Sequence, residues 1–290
     1  MKSFTGFSNR YNLKGGQNFL QSNEIVAKFA FCLVVLFVFV VLLKAGTRLL
    51  SYIFTPSSDP VLLNGMKDGS NYSMIPVDPS QSHAVPILRS KDQHDGLVFT
   101  WSTWIFLKQP DMPNHGCAPG ACPDERGRFN HIFSKGSSTQ GSNGIMQPNN
   151  APGLYVSNDY RRLAFVMSTF ENPNETIIID DIPINHWINV IIRQDQHRLD
   201  IFINGTLTRS AILKSVPNQN YDPVFLSLNG GFQGYISQLQ YFAQAIGANK
   251  IQSIIDAGPN LRDLDGNLNQ TDANYLSFRW FFPLQYSEMQ

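Results

Sequence analysis

The stretch Asn185-His186-Trp187-Ile188-Asn189-Val190-Ile191-Ile192-Arg193, with its continuation Arg198-Leu199-Asp200-Ile201-Phe202-Ile203-Asn204-Gly205-Thr206-Leu207-Thr208, decides the fold. Two β-rich runs meet at an Asn-Gly turn. Asn204 and Gly205 both tolerate positive φ, as a type I′ hairpin requires, so the chain is expected to fold back here as paired strands. A β-sheet protein is the starting expectation.

Bulk composition narrows the function classes. The 22 basic residues balance the 22 acidic ones, and they form no cluster of the kind a phosphate-binding surface shows, so no nucleic-acid partner is expected. Charge is sparse while Asn, Gln, Ser and Gly are abundant, as in many secreted or surface β-proteins. Three cysteines exclude a disulfide-dense scaffold.

Working outward to the N-terminus, residues 1–24 are polar, with Lys2, Arg10 and Lys14, and read as a flexible or partner-ordered arm. Residues 29–43, FAFCLVVLFVFVVLL, carry no charge and would extend about 22 Å as a helix. Extension over residues 25–50 gives enough length for a bilayer core of about 30 Å, with Lys28 and Lys44 snorkelling to the two interfaces. A buried core helix and a cleaved signal peptide are the alternatives. The preceding region is long for a signal, Leu43 and Ala45 make a poor cleavage site, and all-round hydrophobicity suits lipid. Residues 25–54 are therefore read as a single transmembrane helix and its flank. Lys2, Arg10, Lys14 and Lys28 lie before the span against Lys44 and Arg48 after it, which places the N-terminus inside.

Residues 55–83, with TPSSDP and VDPSQS, read as a spacer. From residue 84 the texture changes to short β-type runs between turn signals. Strands are expected at 84–88, 97–107, 129–134, 153–157, 163–170, 176–179, 187–193, 199–203, 207–213, 224–228 and 234–242. Many short strands at this spacing mean a sandwich or barrel rather than βα units. One helix is expected at 248–257, ending before Gly258-Pro259. After a polar loop at 263–274, alternating Leu276, Phe278, Trp280 and Phe282 give a last strand one strongly apolar face.

Four segments then fall in a telling order. They are Phe99-Thr100-Trp101-Ser102-Thr103-Trp104-Ile105; His131-Ile132-Phe133-Ser134-Lys135-Gly136; His186-Trp187 through Asn204-Gly205; and Phe232-Gln233-Gly234-Tyr235-Ile236-Ser237-Gln238-Leu239-Gln240-Tyr241-Phe242, followed by Ile251 and Asp256-Ala257-Gly258. In that order they resemble the laminin-G-like branch of the concanavalin A-like lectin/glucanase superfamily, over about residues 95–258. No one segment is specific, but the series is. The resemblance implies an all-β fold, a two-sheet antiparallel jelly-roll sandwich filling residues 84–290. Trp187 and Phe202 are then candidates for the inter-sheet core, Gly205 permits the turn, and Gly234 allows close packing or a bulge.

Glucanases of that superfamily carry an E-x-D-x-E strand. Here Glu24, Glu125, Glu171, Glu175 and Glu288 form no such pattern, and adjacent Asp180 and Asp181 would point to opposite faces of a strand. No catalytic residue is expected. Cys117-Ala118-Pro119-Gly120-Ala121-Cys122 has three readings: a local disulfide, favoured in an oxidising compartment; a zinc site with His115 and His131; or free thiols. Four sequons stand at Asn71, Asn174, Asn204 and Asn269, with Asn204 better explained by its turn. Asn158-Asp159 and Asp263-Leu264-Asp265-Gly266-Asn267 offer oxygens for calcium, although the second lacks the downstream bidentate Glu of a calcium loop; solvated turns are the favoured reading. Trp101, Trp104, Trp187 and Trp280 are read as core rather than as a sugar platform.

The resulting expectation is a non-catalytic, single-pass membrane-anchored structural protein whose partners are a lipid membrane and a protein layer. Its arm, span and ectodomain resemble membrane-associated structural proteins of large icosahedral DNA viruses, which implies a minor capsid protein with its helix in the virion inner membrane and its sandwich beneath capsid subunits. A cell-surface or lumenal carbohydrate-binding adhesion module, with glycans as partners, is the rival. A degenerate hydrolase is the remote third reading.

Overall fold

A computed structural model describes residues 25–54, 56–90, 97–108 and 128–265. The chain divides into two compact units, the first ending at Thr55 and the second beginning at Pro56. Within the first, α1 (Ile25–Phe54) is one uninterrupted helix without a proline. Its Ala27–Tyr52 segment has a mean hydropathy of 2.7 and none of it is buried. At 1.5 Å per residue such a segment is about 39 Å long, more than a bilayer core of about 30 Å.

The named strands of the second unit all pair antiparallel, with short helical pieces between and after them. Its strands are β1 (Met66–Asp68), β2 (Ser73–Ile75), β3 (Val98–Leu107), β4 (Phe129–Gly136), β5 (Thr139–Gln140), β6 (Met146–Gln147), β7 (Asn150–Ser157), β8 (Leu163–Met167) and β9 (Glu175–Ile179). They continue with β10 (Trp187–Asp195), β11 (Arg198–Ile203), β12 (Thr206–Ile212), β13 (Val224–Leu226) and β14 (Gly234–Phe242), after which comes α2 (Ala248–Ala257). One six-stranded sheet has the order β1-β14-β3-β10-β11-β12 and the other β2-β13-β4-β7-β8-β9, with β5 and β6 forming a small separate ribbon. Two facing antiparallel sheets make the expected sandwich.

Alternation decides which side chains meet between the sheets. Ile188, Val190 and Ile192 of β10 face inward with Leu199 and Ile201 of β11, whereas the intervening Ile191 packs on the outer side. Trp101 of the first sheet meets Phe133 of the second at 5.7 Å and Tyr241 at 5.2 Å between ring centres. In β14 the inward residues are Ile236, Leu239 and Tyr241, a spacing strict alternation forbids. A register shift between Ser237 and Gln240, with Gln238 at φ 48°, inserts the extra residue and restores the apolar face.

The same parity corrects two expectations. Phe202 lies one step from inward Ile201 and so emerges on the outer face, buried with Ile191, Phe242, Ile246 and Ile251 of α2 rather than between the sheets. Trp187, one step from Ile188, is only half-buried and rests against Phe106 at 5.6 Å. The second sheet also has a covered outer face. There Phe129, Tyr155, Ala164, Val166, Phe225 and Leu228 pack with Ile145 and Met146 of the β5–β6 arm.

Asn204 and Gly205 take φ 49° and 79° between β11 and β12, as a type I′ turn requires. The quoted stretch is thus a three-stranded meander: β10 turns into β11 through Gln196-His197, and β11 into β12 through Asn204-Gly205. Asn204 closes it, because its Oδ1 accepts the Asn189 N–H at 2.8 Å while its own N–H donates to the Asn189 carbonyl at 3.0 Å. At Gly234, with φ 146°, a Cβ would lie 1.9 Å from the Phe106 carbonyl oxygen, so only glycine permits this crossing.

Residues 55–83 are more than a spacer. Met66–Asp68 pairs with β14 and Ser73–Ile75 with β13, each closing one edge of a sheet. These strands are three residues long and flanked by Gly65, Gly69 and Pro76, so the punctuation outweighed the β signal. Conversely, residues 84–88 form no strand; the Val85 N–H donates to the Pro76 carbonyl. The arm at 1–24 and the apolar strand expected around Trp280 lie outside the described residues.

Candidate functional site

A cleft opens where chain segments remote in sequence converge. Beyond β8, residues 168–170 run alongside residues 216–218: the Asn218 N–H donates to Ser168 O at 2.7 Å and the Phe170 N–H to Val216 O at 3.2 Å. A tight turn then forms, in which Thr169 Oγ1 accepts the Asn172 N–H at 3.0 Å. It leaves the Phe170 ring 72 % exposed. Across from this wall stand Arg89, Ser90 and Leu97, which with Phe170, Val216, Pro217, Asn218 and Gln219 enclose about 280 Å³.

Arg89 is held in place within the cleft. Its Nε donates to Gln219 Oε1 at 3.1 Å, and its guanidinium carbon lies 6.0 Å from the centre of the Tyr221 ring. Tyr221 is itself 73 % exposed. The described lining therefore combines one cation, two neutral amides, the Ser90 hydroxyl and large apolar surface. Among the described residues the lining holds no carboxylate, imidazole or thiol.

A buried lysine fixes this wall. Lys135 of β4 donates from Nζ to Asn220 O at 2.8 Å, Asn220 Oδ1 at 3.0 Å and Asp222 O at 3.0 Å. Those three bonds use its full donor capacity. Asn220 Nδ2 returns a bond to Lys135 O at 3.1 Å, so the segment bearing Gln219 and Tyr221 is tied to the second sheet. Burial pushes the Lys135 ammonium down to about 8, against the opposing pull of Asp222.

Beneath the β5–β6 arm sits a polar network. His131 Nδ1 accepts the Leu228 N–H at 3.1 Å, so the proton is on Nε2, which donates to Ser134 Oγ at 2.8 Å. Burial lowers His131 to about 3, and the imidazole is neutral. Tyr155 Oη donates to Asn150 Oδ1 at 2.5 Å and accepts the Met146 N–H at 3.2 Å, while Asn150 Nδ2 donates to Met146 O. Both ring nitrogens of His131 are committed, which leaves neither for the zinc alternative. Cys117, Cys122 and His115 lie outside the described residues.

Asp200, the buried acidic residue of β11, is a clamp. Its Oδ2 meets Arg193 at 2.7 Å and Arg198 at 3.2 Å, and its Oδ1 accepts Ser210 Oγ at 2.5 Å. Burial raises this carboxyl, but the Ser210 and Arg193 hydrogen bonds and the two guanidinium charges outweigh it and leave the group below its ordinary value.

The residues singled out from sequence do not converge. Asn204 is committed through Oδ1 to Asn189, and the buried Asn174 Oδ1 has no partner among the described residues. Asn71 is half-buried beside Asp265, and Asn269 lies outside the described residues. Asp265 pairs with Lys67 at 2.8 Å and accepts the Asp68 N–H at 2.7 Å, while Asp159 accepts the Ser157 hydroxyl and the Arg161 N–H. Donors already occupy these oxygens, and among the described residues no three His, Cys, Asp or Glu side chains are grouped to hold a metal. Trp101 and Trp104 are buried, and Trp280 lies outside the described residues. Sequence reasoning missed Arg89, Phe170 and Tyr221. The usable signal was Phe170, which abuts Glu171-Asn172-Pro173-Asn174, a turn that expels the preceding aromatic.

No family model matches the chain, and no curated protein matches it. Among solved structures it is similar to the receptor binding domain of botulinum neurotoxin C/D mosaic serotype, at 14% identity and TM-score 0.40, covering 55% of this chain and 36% of that one. It is also similar to the botulinum neurotoxin serotype G binding domain, at 13% identity and TM-score 0.44, covering 66% of this chain and 46% of that one. This chain thus spans about a third to a half of the length of the structures it matches. At these values the likeness carries no argument about what the chain binds.

Proposed function

We propose that this chain is a non-catalytic, single-pass membrane-anchored contact protein, with an arm at 1–24, a span within 25–54 and a β-sandwich from Pro56 onward that binds a partner layer. The observation that carries the reading is the circumference of α1: Leu36, Phe37, Phe39 and Leu42 are all more than half exposed and point to different sides. A helix apolar on every face and left unburied by the described residues is stable only in lipid or against a partner of comparable apolarity. The excess of Lys before the span supports an inner N-terminus.

In its most specific form the protein is a minor capsid protein of a large icosahedral DNA virus, anchored in the virion inner membrane beneath capsid subunits. The arrangement of arm, span and sandwich supports this. The balanced charge supports a protein rather than a nucleic-acid partner. Should the sandwich face a lumen or the exterior, Asn71 and Asn174 are its more ordinary loop acceptors for glycans and Cys117–Cys122 its local disulfide. A second reading, a carbohydrate-binding module, is favoured by one observation: two exposed aromatic rings beside a fixed arginine. Gradient fractionation separates the two. A structural protein migrates with its particle at constant stoichiometry, whereas a chain absent from every assembly that shows saturable sugar binding is a lectin.

A further inference from the structure

We infer that the cleft between Arg89 and Phe170 is a binding site for a saccharide that carries a carboxylate. The inference rests on the carbohydrate-binding reading and narrows it to a ligand class.

Arg89 defines the charge. Its Nε is taken by Gln219 and its plane is set beside Tyr221, but its two Nη groups have no partner among the described residues. A guanidinium fixed through Nε presents a planar fork that fits the two oxygens of a carboxylate. Among the described residues, none that lines the cleft carries a negative charge to oppose an anion.

Phe170 and Tyr221 define the rest of the ligand. Large aromatic side chains left about three-quarters exposed beside a concavity are a feature of binding surfaces. A pyranose presents a face of C–H groups that covers such a ring, while its rim of hydroxyls needs small neutral donors and acceptors. The Asn218 side-chain amide has no partner among the described residues, and Gln219, whose Oε1 is committed to Arg89, retains its NH₂ as a donor. A free phosphate would need several cations, and among the described residues the lining offers one. A cavity of about 280 Å³ lies just below the range of ligand pockets, which run from about 300 to 1,000 Å³, so one sugar unit enters and neighbouring units continue along the surface. Lys135 holds residues 220 and 222 from below, so the wall is formed before the ligand arrives.

The test uses the full-length chain in detergent with a matched pair of probes, an oligogalacturonate and its fully methyl-esterified form, together with an acidic peptide. Saturation-transfer NMR and titration calorimetry read binding. The expected result is saturable binding of the oligogalacturonate that is weakened at least tenfold both by methyl esterification and by Arg89→Gln. Phe170→Ala is expected to abolish it with the melting temperature unchanged, since the side chain is exposed. Equal binding of both probes, unaffected by Arg89→Gln, overturns the carboxylate inference while leaving carbohydrate binding in place. Binding of the acidic peptide alone, sensitive to Arg89→Gln, overturns the saccharide class. Binding of none of the three overturns both.

Discussion

His131 shows how far one residue's surroundings reset its chemistry. It accepts from Leu228 and donates to Ser134 only as a neutral imidazole, and burial holds it at about 3 instead of the ordinary 6.5. The unfolded chain therefore binds a proton below pH 6.5 that the folded chain refuses. The stability this group confers is complete above pH 6.5 and declines as pH falls toward 3, by up to about 1.4 kcal/mol per pH unit. Denaturant melts between pH 6.5 and 4.5, above the range of the depressed carboxylates, should show that slope. His131→Gln should flatten it while lowering stability at pH 7 by about 1–3 kcal/mol, through imperfect pairing of the Leu228 N–H and Ser134. Gly234 makes a second residue-scale prediction. With φ 146° and a Cβ site 1.9 Å from the Phe106 carbonyl, Gly234→Ala should cost at least about 2 kcal/mol, a fall in Tm on the order of 5 °C. The Asn204-Gly205 turn was legible in two letters because positive φ is a local property. The side on which Phe202 and Trp187 emerge was not, because it depends on strand parity, which the local sequence leaves open.

At the scale of elements, long strands with alternating or continuous apolar runs were legible: β3, β10 and β14 begin and end within a few residues of where their patterns place them. The three-residue strands β1 and β2 were hidden, since their pairing comes from β14 and β13 rather than from their own composition. Helix α2 was legible from its stop signal at Gly258, but its role follows from tertiary packing: Ile251 sits on Phe202, Ile191 and Phe242 and turns an outer sheet face into a second core. Phe202→Ala should therefore cost about 3–5 kcal/mol and, more specifically, release α2. Hydrogen exchange at residues 248–257 should accelerate by a larger factor than exchange in β4 or β7 on the opposite sheet. Equal acceleration in both sheets would mean that α2 is not an independent layer.

For the whole molecule, an apolar helix and a β-sandwich could be read from composition and periodicity. The cleft could not, because Arg89, Phe170 and residues 216–221 come together only through the closure of both sheets. No spacing in the sequence joins them. The central claim joins a lipid-embedded α1 to a folded contact domain, and alkaline carbonate extraction of membranes containing the full-length chain tests it most directly. The chain is predicted to stay in the membrane pellet, and replacing Leu36 and Phe37 by Lys, at about 3 kcal/mol each at the bilayer centre, should shift it toward the supernatant. Release of the unmodified full-length chain into the supernatant would contradict the claim.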